Sequence, residues 1–262
     1  MRALPLLFFF FLVSCSSQEE KKQNDSVPQQ DTSSVAQTLQ TDSGRLVIRK
    51  DGQAFLYDGN EKMKASGYYD RGGPSGAWLH YDENGKVIDA KFLKEGKVTH
   101  ELDKNDFNFR TYENKQLGVK FLVPKDWKEL PSPNPALLAS FEKEISGDSI
   151  KIKPNFNMSR AKLEPGDNLQ KLADLQIDIL QKQFGRVDRI HEANFTVDSC
   201  NGFLRYGMYY MEQSTVGYLN AIIVNGNDAW FFSCEAQNKS QGEFLLYQEV
   251  FQKIVDSFRR VK

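Results

Sequence analysis

The chain carries few of the side chains that perform covalent or metal chemistry. His80, His100 and His191 are its three histidines, and neither His-x-x-x-His nor Cys-x-x-Cys occurs, so no zincin or structural zinc spacing is present. A Gly-x-Ser-x-Gly elbow, a Walker loop and a dinucleotide glycine fingerprint are equally absent from the sequence, and Gly72-Gly73-Pro74-Ser75-Gly76 reads as a turn. Ser140-Phe141-Glu142-Lys143 and Ser159-Arg160-Ala161-Lys162 have the Ser-x-x-Lys form, but no Lys-Thr-Gly follows either, and both read as coincidence. Carboxylates are scattered evenly, with nothing to bring two of them to the roughly 5 to 9 Å separation of glycoside hydrolysis. No catalytic residue, metal ligand or cofactor is assigned, and the expectation is a protein that is not an enzyme.

Cysteine is the exception. Arg2 is followed by an unbroken apolar stretch from Ala3 to Val13 and then Ser14-Cys15. That stretch is too short to span about 30 Å of hydrocarbon as a helix and reads as a secretory signal. Leu12-Val13-Ser14-Cys15 resembles the bacterial lipobox, which implies cleavage before Cys15, acyl chains on that cysteine, and stable attachment to the membrane through an N-terminal lipid. With Cys15 consumed by lipid, Cys200 and Cys234 remain as an even pair in an oxidising compartment. A bond between them would close a loop of about 35 residues, for about 3 to 4 kcal/mol on the chain-entropy model. Two inert buried thiols are the alternative.

Residues 16–43 are almost entirely Ser, Gln, Thr, Asp, Glu and other polar types; beyond one proline their apolar members are Val27, Val35, Ala36 and Leu39. Such a segment buries too little surface to offset chain entropy and is expected to be a disordered tether, reaching roughly 30 Å as a flexible coil. Gln18-Glu19-Glu20 resembles the acidic export signal of surface-exposed lipoproteins, although a solvated tether is acidic in any case. The whole chain has 34 Lys+Arg against 35 Asp+Glu, a net charge of −1. That balance offers no basic field for a phosphate backbone, so nucleic acid is not an expected partner.

From residue 44 the chain aligns with itself at a shift of 24: Gly52 falls on Gly76, Tyr57 on Tyr81, Asn60 on Asn84, Lys62 on Lys86, Tyr68 on Phe92 and Gly72 on Gly96. Gly67-Tyr68-Tyr69, Gly76-Ala77-Trp78, Tyr81 and Asn84-Gly85-Lys86 place aromatics on short strands between turns, and Asn-Gly is a strong hairpin signal. These residues resemble MORN-variant repeats, known also from the YwqK-like antitoxin-type family. Ala54 stands where the pattern wants a tryptophan, as Trp78 does in the second unit. So few repeats rarely stand alone, and the ribbon is expected to pack on its neighbour.

Residues 106–262 read as an α/β domain. Val119, Phe121 and Val123 alternate in a strand stopped by Pro124, and Ile150 and Ile152 mark another before Pro154. Asp167 is placed to cap a helix over 168–184 that ends at Gly185. Four strands follow near 186–197, 203–211, 216–224 and 229–236, with Asn225-Gly226-Asn227-Asp228 between the last two. Ser240-Gln241-Gly242-Glu243 has capping-box form, and Phe244, Tyr247, Gln248, Phe251, Ile254, Val255 and Phe258 then lie on one helical stripe. Strand, Pro-x-x-Trp, helix, meander and final helix together resemble the PsbP-like superfamily, which implies an α/β/α sandwich that binds or scaffolds and has no shared catalytic residue.

The expected organisation is therefore α+β: a signal peptide over 1–14, a lipidated Cys15 with its tether over 15–43, an antiparallel ribbon of MORN-like repeats over 44–105, and a PsbP-like sandwich over 106–262. The expected role is that of a cell-envelope protein, lipid-anchored at the outer membrane on its periplasmic or outer side, binding an envelope protein partner. A cleft between the two domains is the default ligand site. Trp78, Tyr81 and Trp127 are the candidate binding residues. The competing readings are an envelope hydrolase with dispersed acidic residues and an immunity or antitoxin-like factor.

Overall fold

The 24-residue period is carried by the backbone itself. In a computed structural model, which describes residues 35–115, 117–131, 137–145, 152–211, 214–238 and 243–261, two equivalent turns are bracketed by aspartates one period apart. Asp58 Oδ1 accepts from the amides of Asn60 and Lys62 at 2.8 and 3.0 Å, and Asp82 Oδ1 accepts from those of Asn84 and Lys86, both at 2.9 Å. Arg71 and Glu95 likewise both sit at positive φ, 51° and 52°, each just before a glycine that does the same. Seven hairpin-linked strands form one meander around these turns, β1 Val35–Thr41, β2 Gly44–Arg49, β3 Gln53–Tyr57, β4 Met63–Asp70, β5 Gly73–Tyr81, β6 Val87–Lys94 and β7 Lys97–Leu102, in sequential order.

The first strand corrects the expectation of a tether running to residue 43. β1 pairs antiparallel with β2, Leu39 opposite Leu46, and Leu39 packs against the cluster of Leu46, Ile48, Ala54, Ala65 and Trp78. A strand laid on an existing sheet edge draws its hydrogen bonds from the backbone and needs only one apolar side chain in two, so polar composition did not exclude it.

The ribbon has two apolar faces. On one, Trp78 lies over Gly67, whose missing side chain makes the room: a Cβ there would fall 2.5 Å from the indole. Ala54 sits opposite Gly67 and is fully buried in the same cluster, so the small residue of the first unit accommodates the tryptophan of the second. On the other face Ala77, Leu79, Ala90, Phe92 and Leu102 join the core of the following domain.

That domain comprises β8 Phe109–Asn114, β9 Val119–Pro124, β10 Trp127–Glu129, β11 Leu137–Lys143, β12 Asn155–Lys162, α1 Leu169–Phe184, β13 Val187–Val197, β14 Cys200–Met211, β15 Ser214–Asn225, β16 Asp228–Asn238, α2 Glu243–Asp256 and β17 Arg259–Arg260. Its large antiparallel sheet has the order β10-β11-β12-β16-β15-β14-β13, and a small sheet the order β17-β9-β8. The four-strand meander stands where alternation and turns put it. β11 and β12 were not expected, and β12 begins after Pro154 instead of before it; residue 150 lies outside the described residues, as do Ser240 and Cys15.

Helix α1 is capped by Asn168, whose Oδ1 accepts from Lys171 N at 2.9 Å, while the neighbouring Asp167 instead accepts from Glu164 N at 3.1 Å. Gly185 ends it at φ 78°, as expected. Arg205, 2% exposed on β14, pins the helix to the sheet: Nη1 donates to the carbonyl of Ala173 at 2.5 Å and Nε to Glu192 at 2.7 Å.

Helix α2 lies between the large sheet and the ribbon, touching β15 and β16 on one side and β5, β6 and β7 on the other. Of its predicted stripe, Phe244, Phe251, Ile254, Val255 and Phe258 are buried and Tyr247 and Gln248 are half-buried. Leu246 and Val250 lie roughly 110° around the helix from that stripe and are each only 1% exposed. They form a second buried face, so one core joins the two domains.

Two sets of variants test this packing. Gly67→Ala is expected to cost about 1 to 3 kcal/mol by overpacking Trp78, whereas Gly59→Ala, with open space around it, changes stability by less than about 1 kcal/mol. Leu246→Ala is expected to lower stability by about 2 to 5 kcal/mol. Denaturation followed separately by Trp78 fluorescence in a Trp127→Phe/Trp230→Phe background and by circular dichroism should shift by the same amount for Leu246→Ala, because both units share the core.

Candidate functional site at the junction of ribbon and sandwich

Three stretches remote in sequence meet where the ribbon joins the sandwich. The second repeat turn supplies Asn84, Gly85, Lys86 and Val87, the connection into β8 supplies Phe107 and Phe109, and α2 supplies Glu249 and Lys253; together they line a cleft of about 300 Å³. The equivalent turn of the first unit, Asn60 to Lys62, is not among the residues lining it.

A buried ion pair fixes the connection that forms the floor. Asp106, 4% exposed, pairs with Lys143 on β11 and accepts from Asp103 N at 3.1 Å. The Lys143 ammonium also stands 5.7 Å from the ring centre of Tyr247 on α2. Burial pushes the Asp106 carboxyl up from the ordinary carboxylate range, against the pull of Lys143. Because this acid is paired, its charge is spent on holding Phe107 in place.

Glu249 is different. Among the described residues it has no hydrogen-bond or ion-pair partner, and neither Lys86 nor Lys253 brings its ammonium within 4 Å of it. Burial, and then the negative charge of Asp256, push its carboxyl up. Its negative charge in turn reaches Tyr81, whose phenol is raised mainly by burial and whose hydroxyl lies 2.8 Å from Ser66 Oγ. The cleft thus has an apolar wall of Val87, Phe107 and Phe109, one unpaired acid, and two lysines.

Of the three aromatic candidates, only Tyr81 comes near this place. Trp78 is 6% exposed on the opposite ribbon face, with Nε1 donating to the carbonyl of Tyr68 at 2.9 Å, and it belongs to the ribbon's own core. Trp127, 2% exposed, packs edge-on against Phe251 at 6.1 Å inside the sandwich. The residues that do line the cleft are not ones the sequence singles out as binding residues, although the turn Asn84-Gly85-Lys86 is visible there as a repeat feature. The missing signal was the second apolar stripe of α2, beside which Glu249 stands.

The other sequence candidates resolve as packing. Cys200 and Cys234 are free and buried. Cys234 stands opposite Leu219, while Asn201, next to Cys200, stands opposite Val224. The two cysteines are therefore separated by the whole width of β15 and by roughly 20 Å along it, far beyond the reach of a disulfide. This corrects the suggested bond in favour of two inert thiols: burial pushes both up, Cys234 strongly. Both Ser-x-x-Lys sequences lie on strands, where residues three apart point to opposite faces; Ser140 bonds Asn157 at 2.7 Å while Lys143 turns inward to Asp106. His80 bonds Asp89 at 2.5 Å and His191 lies 5.2 Å from the Tyr206 ring, on separate strands.

A raised carboxyl destabilises the fold wherever it must ionise. Below the unfolded-state value Glu249 is protonated in both states and costs nothing; as pH climbs through the raised folded-state value, the folded protein loses a proton it prefers to keep. Glu249→Gln is accordingly expected to raise the melting temperature at pH 7 and to leave it unchanged near pH 4, as thermal unfolding at the two pH values will show.

No family model and no curated protein matches the chain. Among solved structures it is similar to the cyanobacterial PsbP (CyanoP) of Synechocystis, at 13% identity and TM-score 0.46 over 58% of this chain and 92% of that one. It is also similar to the Ran-binding protein Mog1p of Saccharomyces cerevisiae, at 13% and 0.47 over 59% and 96%. A third is LpqN of Mycobacterium tuberculosis, described as involved in cell envelope biogenesis, at 15% and 0.42 over 55% and 83%. Among the described residues the architecture is α+β, mostly antiparallel sheets with two helices.

Proposed function

We propose that this chain is a lipid-anchored cell-envelope protein that works without catalysis, as a binding or assembly module whose ligand site is the junction cleft. The observation that carries the reading is the cleft itself, walled by both units and holding an acid that the fold leaves unpaired. Among the described residues Glu249 is the single acid that lines it, with no second carboxylate to form a hydrolytic pair. The anchor rests on Leu12-Val13-Ser14-Cys15 and the apolar run before it. Among the described residues no helix is long and apolar enough to cross a membrane.

The experiment has two arms. In intact cells the native protein should fractionate with membranes and Cys15→Ala should not; a native protein recovered free of membranes overturns the anchor. A photo-crosslinking residue placed at Asn84, on the rim of the cleft, should capture a defined species, whereas the same residue at Asn60, the equivalent position of the first repeat, should not. Equal capture at both positions, or none at Asn84, overturns the cleft as the site.

A further inference from the structure

The chemistry of the cleft narrows its ligand, on the reading that the junction is where the ligand sits. A plain anion would meet the Glu249 carboxylate, and a plain cation would meet the ammonium groups of Lys86 and Lys253. A neutral apolar molecule would cover Val87, Phe107 and Phe109 but leave the acid desolvated and unanswered. What satisfies every wall is a small molecule with an ammonium, a carboxylate and an apolar body. Glu249 and Lys253 are one helical turn apart on α2, so their side chains leave the helix at neighbouring points with Cβ atoms about 5 to 6 Å apart, and both line the cleft where the two charged groups of one small molecule can address them. A cleft of about 300 Å³ stands at the small end of ligand pockets, which suits a free amino acid or a dipeptide.

We infer that the junction cleft binds a zwitterionic amino acid or dipeptide with an apolar side chain, the ammonium on Glu249, the carboxylate at Lys253 and Lys86, and the side chain against Phe107 and Phe109. The arrangement couples the two units, since the carboxylate end touches the repeat turn and the ammonium end the helix. It also gives the second repeat a task that the first, with Glu61 where Gly85 stands, does not have.

Calorimetric titration of the detergent-solubilised full chain tests this with L-phenylalanine and L-leucyl-L-leucine as probes, and with phenethylamine and 3-phenylpropanoate as analogues lacking one charge each. The zwitterions are expected to bind at least tenfold tighter than either analogue. Glu249→Gln should weaken them by about 10- to 100-fold, the loss of a charge-assisted contact, and Lys253→Gln by no more than about fivefold, the loss of an exposed one. Lys62→Gln, in the first repeat turn, should leave the affinity unchanged. Analogues that bind as tightly as the zwitterions, zwitterions that bind Glu249→Gln undiminished, or zwitterions that do not bind would each overturn the inference. Capture at Asn84 reports on the cleft separately, so a ligand of another class leaves the site standing while removing this occupant.

Discussion

Everything in this architecture depends on α2 being buried on two sides. A surface helix hides one stripe and shows the rest to water, but here Phe251, Ile254 and Phe258 go into the sandwich while Leu246 and Val250 are buried just as deeply on another flank. The ribbon is a single layer of strands, and its second apolar face would otherwise have no cover. Ala77, Leu79, Ala90 and Phe92 find that cover in the same core as α2. The helix therefore completes two units at once, and the junction cleft lies along its edge where the cover stops.

The ribbon shows how a repeat can be regular in backbone and irregular in use. Asp58 and Asp82 build the same turn with the same hydrogen bonds, yet Asn84 to Val87 meet α2 and the connection to β8, whereas the earlier turn lines no part of the cleft. The sequence departures follow from the packing. Ala54, one period before Trp78, leaves room for that single indole, since over Gly67 even one methyl would collide with Trp78. One aromatic serves both repeats, and the period survives in the turns even where it fails in the core.

Much of this was legible in the amino-acid order. The meander β13 to β16 could be placed because alternation and the turn at Asn225-Gly226 coincide, and α1 because Gly185 marks its end. β1 was hidden by its polar composition, since a strand that borrows its partner's hydrogen bonds needs little more than Leu39 to hold it. β11 and β12 were hidden because their apolar residues are interleaved with polar and charged ones and Pro154 stands just before β12. The cleft was legible only as a place, a junction between domains, and not as residues. Its members, Lys86, Phe107, Phe109, Glu249 and Lys253, are ordinary in their local contexts and become a site only through tertiary contact. Large aromatics were the wrong signal: Trp78 and Trp127 are prominent in sequence because the core needs their volume.

The better signal is the difference between paired and unpaired acids. Asp106 is buried and raised, and Lys143 answers it. Asp198 holds a low carboxyl despite burial because Arg260 donates to it, and Asp228 does the same with Arg160 and Lys162. Across the described residues these charges are closed accounts that tie strands and termini together. Glu249 is half-buried, and burial and then the negative charge of Asp256 push its carboxyl up with no cation answering it, although a glutamine of the same size would fill the position without the electrostatic cost. Asp106, Asp198 and Asp228 are each answered by a cation, whereas Glu249 stands unpaired in a cleft with two lysines and three apolar side chains, and that contrast is what the proposed binding role of the cleft rests on.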